Sequence, residues 1–445
     1  MMKSTTERSP EARAVDAKPA LARNGAEVVC EALLAHGVST LFGYCGGAIL
    51  PFYDALLFYP QMHHIMVRHE QAAAHAAAGY ARASGRPGVC VTTSGPGATN
   101  LLTGIMDARL DSTPMVILGG QVGTKLIGSD AFQETDMMCM TATITKHNYQ
   151  PRNVEELEEV LHAAFHIAMT GRPGPVYIDL PKDVLEARTT RRFPMPTSLP
   201  GYRAPLAHTP EDIANIKQLL VKAQRPLLLV GGGAVHSDAG PALQRLAEQL
   251  QLPVASTIMA KGVISEDHPQ CLGPIGMYGR KAAQHALMET DLLLAFGCRF
   301  SDRITGKTKA FAAHKTIVHV DIDAYELGKN VPAHLPVQGD VRRVTEALLE
   351  ALADHAPSPS QRAWARRLGA ARGVCERCVP HVAKIGVHPK RVMDAINAVK
   401  SDDDMVTTGV GQHQMFASHF LKHQKPRTFI TSGGAGTMGY GLPAA

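Results

Sequence analysis

A glutamate between a short apolar run and an alanine-rich run is the residue of this sequence best suited to acid–base chemistry. Ile65, Met66 and Val67 predict a strand, and the segment that begins at Glu70, EQAAAHAAAG, predicts a helix. This order puts Glu70 at the carboxyl end of a strand, where open α/β sheets bind their ligands. The alanines let another backbone approach and leave few polar competitors, so we expect Glu70 to share a proton with a ligand. A solvated glutamate, favoured by the helix dipole, is the alternative.

Two glycine-rich loops follow predicted strands on either side of this glutamate. GYCGG at 43–47 comes after a short apolar run, and SGPGATN at 94–100 follows an apolar run and opens a helix. A strand, a glycine-rich loop and a helix in this order present free backbone N–H groups to anionic or polar ligand atoms. Each loop taken alone is also typical of an ordinary turn.

A second set of candidates lies further along the chain. An apolar strand runs into GGGA at 231–234, which is similar to a dinucleotide-binding turn but lacks the complete spaced glycine pattern. Another strand ends at Asp321, where an acid can hold a ribose hydroxyl. Arg299 and Arg303 are suited to a phosphate or to nearby surface acids. Taken alone, the acids at this strand end favour an ordinary strand-end turn, and a nucleotide-like ligand is the alternative; the two arginines fit a phosphate or a surface ion pair.

The order of these elements predicts the fold class. Strands alternate with helices along most of the chain, which predicts α/β architecture with doubly wound parallel sheets in three domains, the third incomplete. Proline- and arginine-rich stretches without periodicity mark the linkers. The predicted boundaries are a tail at 1–20, a first domain at 21–185, a linker at 186–208, a central domain at 209–355, a linker at 356–385 and a third domain at 386–445.

Composition narrows the classes of function. The 445 residues are 45% hydrophobic and 19% charged, with a net charge of +5 spread along the chain, which does not indicate nucleic-acid binding. No apolar run reaches the length of a membrane helix, and the N-terminus has no signal-peptide core. Eight irregularly spaced cysteines favour a reducing, cytoplasmic location. The pair Cys375 and Cys378, with His381 nearby, matches no standard metal-binding spacing.

A set of distinctive segments extends from about residue 21 to the end of the sequence: RHEQAAAHAA, TTSGPGATN, DAFQET, ITKHN, GRPGPVYIDLPKDV, VDIDAYELGKN, GQHQM and SGGAGTMGYGLPAA. Together these segments resemble the catalytic large subunit of the thiamine-diphosphate-dependent acetolactate synthase (acetohydroxyacid synthase) family. This resemblance implies that the three domains bind the pyrimidine of thiamine diphosphate, FAD and the diphosphate, in that order.

The resemblance also implies a reaction. Glu70 hydrogen-bonds N1′ of the pyrimidine and stabilises the imino form that deprotonates the thiazolium C2. The resulting carbanion adds to pyruvate, carbon dioxide leaves, and the two-carbon unit joins a second 2-oxo acid, pyruvate or 2-oxobutyrate, in branched-chain amino acid (valine, leucine, isoleucine) biosynthesis. The site residues implied beside Glu70 are Gln133, Lys146 (for the acceptor carboxylate) and Phe132 (as a wall), with Tyr44, Gly46, Gly97, Gln412, His413 and Met438 for thiamine diphosphate.

FAD has a structural role in this family and does no net redox work. The positions implied to contact it are Arg172, Gly231, Gly232, Gly276, Met277, Gly279, Arg299, Arg303, Asp321, Ile322, Asp340 and Val341. The family also implies a homodimer or homotetramer, with Glu70 and a partner chain's diphosphate-binding domain completing each site, and a small regulatory subunit as a possible companion.

The sequence departs from the usual family pattern at five positions, which leaves flavin affinity and acceptor preference open. These positions are Cys45, Gly123, Tyr278, Ser301 and Phe416. The GDG…N segment that binds Mg²⁺ and the diphosphate does not occur in residues 1–445, and we expect it just downstream. The sequence is therefore interpreted as a fragment that is inactive alone, with no metal ligands of its own.

Two other functions fit part of the pattern. One is another thiamine-diphosphate enzyme, such as a simple 2-oxoacid decarboxylase or a sulfoacetaldehyde-type lyase, which an assay for acetolactate against acetaldehyde would separate. The other is a non-catalytic flavin-binding paralogue. Phe132, Gln133, Lys146 and the flavin segments favour the synthase, and Glu70 disfavours glyoxylate carboligase, whose family lacks this glutamate.

Overall fold

The computed structural model describes residues 22–196, 198–203, 207–277, 279–373 and 386–445. Within them the chain forms two six-stranded sheets, whose strands are all parallel, and two smaller sheets of two strands each. This agrees with the predicted α/β class. No helix among the described residues is both long and apolar enough to cross a membrane.

The first domain is built on the sheet β3-β2-β4-β5-β7-β6, with the short pair β1 and β8 beside it. Its strands are β1 (Arg23–Asn24), β2 (Thr40–Gly43), β3 (His63–Met66), β4 (Gly88–Thr92), β5 (Met115–Gln121), β6 (His147–Tyr149), β7 (Pro175–Pro181) and β8 (Arg188–Thr189). Its helices are α1 (Gly25–Ala35), α2 (Leu50–Leu56), α3 (Glu70–Ser84), α4 (Pro96–Thr99), α5 (Leu102–Leu110), α6 (Met137–Thr141), α7 (Val154–Met169) and α8 (Lys182–Glu186).

The strand order of this sheet reverses between β2 and β4. The chain runs from β2 outward to β3, returns to β4 on the other side, and continues to β5. Such a reversal opens a crevice at the carboxyl ends of the two strands, because the loops leave in opposite directions. The loops that flank this crevice belong to the two glycine-rich segments noted in the sequence, at 43–47 and 94–100.

The central domain has a second parallel sheet of order β11-β10-β9-β12-β13-β14, which reverses between β9 and β12. Its strands are β9 (Pro226–Val230), β10 (Val254–Ser256), β11 (Cys271–Pro274), β12 (Leu292–Phe296), β13 (Thr316–Asp321) and β14 (Leu335–Gln338). Its helices are α9 (Pro210–Lys222), α10 (Gly232–His236), α11 (Gly240–Leu250), α12 (Lys281–Glu289), α13 (Asp302–Thr305), α14 (Thr308–Ala312), α15 (Val341–Ala351) and α16 (Pro359–Ala370).

Helix α16 corrects one predicted boundary, because it falls in the segment 356–385 that the sequence assigned to a linker. Trp364 and Leu368 are buried in the core of the central domain, and the Trp364 indole donates to the carbonyl oxygen of Pro226 at 3.0 Å. The capping box of Ser358 and Gln361 starts the helix. The central domain therefore extends through this helix.

The third domain consists of α17 (Pro389–Val399), β15 (Val406–Thr408), α18 (Gln412–Phe420), β16 (Phe429–Thr431) and α19 (Gly441–Ala444), with β15 and β16 parallel. Ile430, Tyr440 and Ala444 from this domain are buried in the same apolar cluster as the alanines of α3. An added Cβ on Gly79 of α3 would lie 2.2 Å from the carbonyl oxygen of Ala444. The expected close approach of another backbone to the alanine-rich helix is therefore confirmed.

Candidate active site

Glu70 is the first residue of α3, beyond the carboxyl end of β3, and only 8% of it is exposed. Its Oε2 accepts a hydrogen bond from Asn100 Nδ2 at 2.9 Å. Its Oε1 has no donor among the described residues of this chain and faces Gly97, whose added Cβ would lie 3.3 Å away. One carboxyl oxygen is thus fixed and the other is available to a ligand.

The glycine loops converge on Thr93, beside this carboxyl group. An added Cβ on Gly46 would lie 2.6 Å from the Thr93 side chain, and one on Gly97 would lie 2.7 Å from it. The loop 43–47 is tied to the sheet, since Tyr44 N donates to Val91 O at 3.2 Å. The structure therefore brings Glu70, Tyr44, Gly46 and Gly97 to one crevice, which any side chain in place of either glycine would fill.

Asn100 was quoted in the sequence motif but was not singled out as a site residue. It ends the short helix α4, and the turn of the chain through SGPGAT brings it back to Glu70, 30 residues earlier. A charge-assisted amide–carboxylate bond of this kind orients the carboxyl group. The sequence signal that could have indicated Asn100 was its position, since it is an amide side chain at the end of a glycine-rich loop.

Gln133 and Phe132 lie in a loop that packs on the same crevice. An added Cβ on Gly95 would lie 2.7 Å from Gln133 O, so the two backbones are in direct contact. The Glu134 carboxylate organises the loop by accepting N–H groups from Gly128, from Ser129 at 3.2 Å and from Ala131 at 3.1 Å. Phe132 is 88% exposed, so the described residues of the chain leave most of its ring uncovered.

Lys146 does not join this crevice. Its backbone N donates to Pro175 O at 2.8 Å, at the start of β7, so Lys146 lies at the amino edge of the parallel sheet, whereas Glu70 lies beyond the carboxyl edge. Its ammonium donates to the carbonyl oxygens of Ile167 (2.5 Å) and Thr170 (2.7 Å), at the end of α7. Burial, opposed by little negative charge, lowers its pKa to about 8. In this chain the contacts of Lys146 are those of a helix-capping cation, and its expected contact with an acceptor carboxylate stays a prediction.

Gln412, His413 and Met438 lie beyond the carboxyl ends of β15 and β16. The two loops touch, because an added Cβ on Gly409 would lie 3.3 Å from His413 Nε2 and 3.8 Å from Gly439 N. Gln412 and His413 are exposed, and Met438 is 78% exposed. None of the three contacts Glu70 through any hydrogen bond or ring contact of the described chain.

A cavity of about 340 Å³ lies where the carboxyl edge of the central sheet meets the amino edge of the first sheet. The expected flavin residues in its wall are Arg172, Gly231, Gly232, Arg299, Arg303, Asp321, Ile322, Asp340 and Val341. Gly276, Met277 and Gly279 are outside the wall, although Met277 N donates to Arg303 O at 2.9 Å. The loops after β9 and β12 touch here, and an added Cβ on Gly231 would lie 2.1 Å from Gly297 O.

Charged groups divide this cavity into two parts. Arg172 is held by Glu326 at 2.8 Å and Asp323 at 3.2 Å, so its charge is largely compensated. Arg303 has no carboxylate partner among the described residues, and only the sulfur of Met277 contacts its guanidinium, at 3.5 Å. Burial raises the pKa of Asp321 to about 6. An anionic group is favoured beside Arg303, and a hydroxyl donor is favoured beside Asp321.

Several cavity residues were not anticipated from the sequence. They are contributed by all three domains and include Arg82, Asp111, His236, Lys261 and Arg427. Arg82 and Asp111 pair across the wall at 2.5 Å. Their roles depend on contacts between distant segments, which no local pattern reports.

The described residues contain no group of three or more His, Cys, Asp or Glu side chains that could hold a metal ion. Cys375, Cys378 and His381 lie outside the described residues.

Comparison with known proteins gives three family matches along the chain. They are the thiamine pyrophosphate enzyme N-terminal TPP binding domain (residues 23–140), central domain (213–348) and C-terminal TPP binding domain (409–445). A probable acetolactate synthase large subunit of Methanocaldococcus jannaschii is 49% identical over 95% of this chain and 72% of its own length. The chain belongs to the acetolactate synthase large-subunit family. The acetolactate synthase isozyme 2 large subunit of Escherichia coli is 43% identical over 95% of this chain and 75% of its own length. The acetolactate synthase large subunit IlvB1 of Mycobacterium tuberculosis is 44% identical over 95% of this chain and 68% of its own length.

The five positions at which this acetolactate synthase family member departs from the usual family pattern lie in different parts of the chain. Cys45 is exposed in the loop beside Thr93, and Gly123 lies beside the Asp183 carboxylate. Ser301 precedes α13, and Phe416 stacks on Phe420 with ring centres 6.3 Å apart. Tyr278 is outside the described residues.

Proposed function

We propose that this chain is the catalytic large subunit of an acetolactate synthase that uses thiamine diphosphate. It would decarboxylate pyruvate and join the two-carbon unit to pyruvate or 2-oxobutyrate. The observation that carries this proposal is the buried Glu70 carboxyl group, with one oxygen fixed by Asn100 and the other directed into a glycine-lined crevice.

Each residue of the crevice has a defined part in this proposal. When bound, thiamine diphosphate supplies a thiazolium ring whose carbon adds to a carbonyl group and which accepts the electron pair left by decarboxylation. Glu70 Oε1 would hold a proton at the pyrimidine N1′, and Asn100 would keep the carboxyl group in that orientation. Gly46 and Gly97 would leave room for the flat ring between Thr93 and the loop. Gln133 and Phe132 would line the side where the 2-oxo acid enters.

Glu70→Gln tests the proposal, because it keeps the shape of the side chain and removes its ability to exchange a proton. We expect acetolactate formation by the full-length protein to fall about 100-fold or more, the range for loss of a positioned acid–base group. Isothermal titration should still detect thiamine diphosphate. Glu346→Gln, on the exposed face of α15 beside Arg342, is the matched control and should retain full activity. Equal turnover of Glu70→Gln and wild type would overturn the proposal, and acetaldehyde in place of acetolactate would favour a decarboxylase.

We also propose that two chains share each site, in a homodimer or homotetramer. Gln412, His413 and Met438 are exposed and do not reach the Glu70 of their own chain, while Phe132 beside the crevice is also exposed. A partner chain that brings its third domain to the crevice would cover all of these groups. The expected Mg²⁺ would accompany the diphosphate, and the family name "large subunit" supports a smaller regulatory companion.

Complementation between inactive variants tests the shared site. Co-expressed Glu70→Gln and His413→Ala chains should recover about a quarter of wild-type activity, because half of the dimers are mixed and one of their two sites is intact. Glu70→Gln with Gln133→Ala is the control, since both changes lie on the same side of the crevice and no intact site can form if each variant is inactive. Recovery in the control pair, or none in the test pair, would exclude a site shared in this way.

FAD is the proposed occupant of the cavity between the first two sheets, where it would have a structural role. The uncompensated Arg303 suits a phosphate group, and Asp321 suits a ribose hydroxyl. Arg303→Met should weaken FAD binding about 10- to 100-fold, as expected for the loss of a charge-assisted hydrogen bond. Flavin fluorescence of the purified protein measures this without catalysis. Arg342→Met, at an exposed ion pair on α15, is the control. Unchanged flavin content in Arg303→Met would contradict the assignment.

A further inference from the structure

The loop that carries Met438 is held by a buried polar junction with the first domain. This loop follows β16 and spans residues 432–440. Asp107 on α5 accepts hydrogen bonds from Ser432 Oγ and from Thr437 Oγ1, the latter at 3.1 Å. Thr437 N in turn donates to Ser432 Oγ at 2.8 Å, so residues 432 and 437 of the loop meet at one carboxylate.

A second acid, at the end of α5, extends the junction. Asp111 accepts the N–H of Gly433 at 2.8 Å and pairs with Arg82, which also donates to Thr431 O. The loop backbone passes so close to α5 that an added Cβ on Gly434 would lie 2.8 Å from Leu110 Cβ. The loop thus has no freedom to shift unless these bonds break.

The junction is almost completely enclosed. Asp107 is 0% exposed, Ser432 is 1% exposed and Tyr440 is 0% exposed. Hydroxyl groups enclosed in this way must keep an acceptor, because water cannot replace it. Among the described residues 432–440, only Met438 has a side chain that extends into solvent, and this residue is 78% exposed.

We propose that Asp107 is a positioning residue for the reaction: it fixes the 432–440 loop, and through it the side chain of Met438, against the first domain of the same chain. This inference rests on the proposed function, in which Met438 supports the thiamine cofactor. Asp107 itself is buried under the loop and would not touch cofactor or substrate. Its effect would be to present the loop already ordered, so that binding does not have to order it.

Substitutions from both sides of the junction test this role. Asp107→Ala removes the acceptor of two buried hydroxyls, and Ser432→Ala removes one donor from the loop. Each should raise the thiamine diphosphate concentration for half-maximal activity about tenfold or more, with a smaller change in kcat at saturation. Asp107→Asn should restore most of the affinity, because its amide oxygen can accept at Oδ1 while its NH₂ occupies the Oδ2 position, which has no partner.

The control separates positioning from general destabilisation. Gln361→Ala removes buried hydrogen bonds to Leu220 O and Ala223 O in the central domain, both 2.9 Å long, and should lower the melting temperature without changing the half-saturating concentration. Hydrogen exchange of residues 432–440 should be faster in Asp107→Ala and unchanged in Gln361→Ala. If Asp107→Ala does not fold, Ser432→Ala and Thr437→Val provide the same test from the loop.

Three results would overturn the inference. The first is a half-saturating thiamine diphosphate concentration that does not change in Ser432→Ala and Asp107→Ala. The second is a rise of this concentration in Gln361→Ala equal to that in the junction variants. The third is unchanged hydrogen exchange of residues 432–440 in Asp107→Ala. If the wild-type protein did not respond to thiamine diphosphate, the proposed function would fail instead. Hydrogen exchange would then still decide whether Asp107 holds the loop.

Discussion

Gly79→Ala sets two effects of known size against each other. Alanine in place of glycine inside a helix normally stabilises it by about 1 kcal/mol. At Gly79, however, the new methyl group would lie 2.2 Å from the carbonyl oxygen of Ala444 and 2.7 Å from its Cα. These are backbone atoms, which cannot turn aside as the end of a side chain can. Overpacking costs about 1–3 kcal/mol, and so short a contact with backbone atoms belongs at the upper end, so after the helix gain we expect the contact between α3 and α19 to loosen by about 2 kcal/mol.

The measurement must be local, because a chain with several domains need not unfold in one transition. Hydrogen exchange of residues 440–445 should be faster in Gly79→Ala by about 30-fold, since about 1.4 kcal/mol corresponds to tenfold. Gly369→Ala is the matched control, because Gly369 is also helical and an added Cβ there meets no atom within 4 Å. Equal or slower exchange in Gly79→Ala would refute the reasoning.

Three further perturbations have expected outcomes. Lys261→Met should destabilise the protein by about 1.5–3 kcal/mol in chemical denaturation, because the buried Glu266 loses its partner at 2.6 Å and keeps only Arg280 at 3.2 Å as a cationic partner among the described residues. The double variant with Glu266→Leu should regain part of the loss. The pKa of His36 is lowered to about 4, mainly by burial and secondly by His162. The unfolded chain therefore takes up this proton at a higher pH than the folded chain, and the stability of the fold falls as pH drops from about 6.5 to 4. His36→Phe should make the difference in melting temperature between pH 7 and pH 5 smaller. Gly97→Ala should abolish thiamine diphosphate binding in titration while the fold is kept, because its methyl group would lie 2.7 Å from Thr93 and 3.3 Å from Glu70 Oε1.

Local patterns were sufficient to locate the crevice around Glu70. The apolar run before Glu70, the alanines after it and the glycine loops are each contained within a few residues, and β3, α3 and the loops at 43–47 and 93–97 form where those patterns predict. The switch between β2 and β4 then brings the loops together, which is a general property of such sheets. The predicted strand was off by one or two residues, since β3 is His63–Met66.

The errors and omissions concern contacts between distant segments. The role of Lys146 is implied by the match of ITKHN to the family motif, and that motif does not report that the register of β6 with β7 places the Lys146 backbone at the other edge of the sheet. Asp107 meets Ser432 across 325 residues, and no periodicity reports that contact. Helix α16 was missed because its polar surface outweighs the single buried stripe of Trp364 and Leu368.

Helix α3 links the two ligand regions that the first sheet separates. Its first turn carries Glu70 at the crevice, and its last turn carries Arg82, which lines the cavity and binds Asp111 and Thr431 O. The helix has 15 residues and is therefore about 22 Å long, with Gly79 against Ala444 between its ends. Rigid secondary elements can carry energetic coupling between sites at this separation. A change at Arg82 is therefore expected to alter the cavity, the 432–440 loop and the orientation of Glu70 together, whereas a change at Arg303 should affect only the cavity.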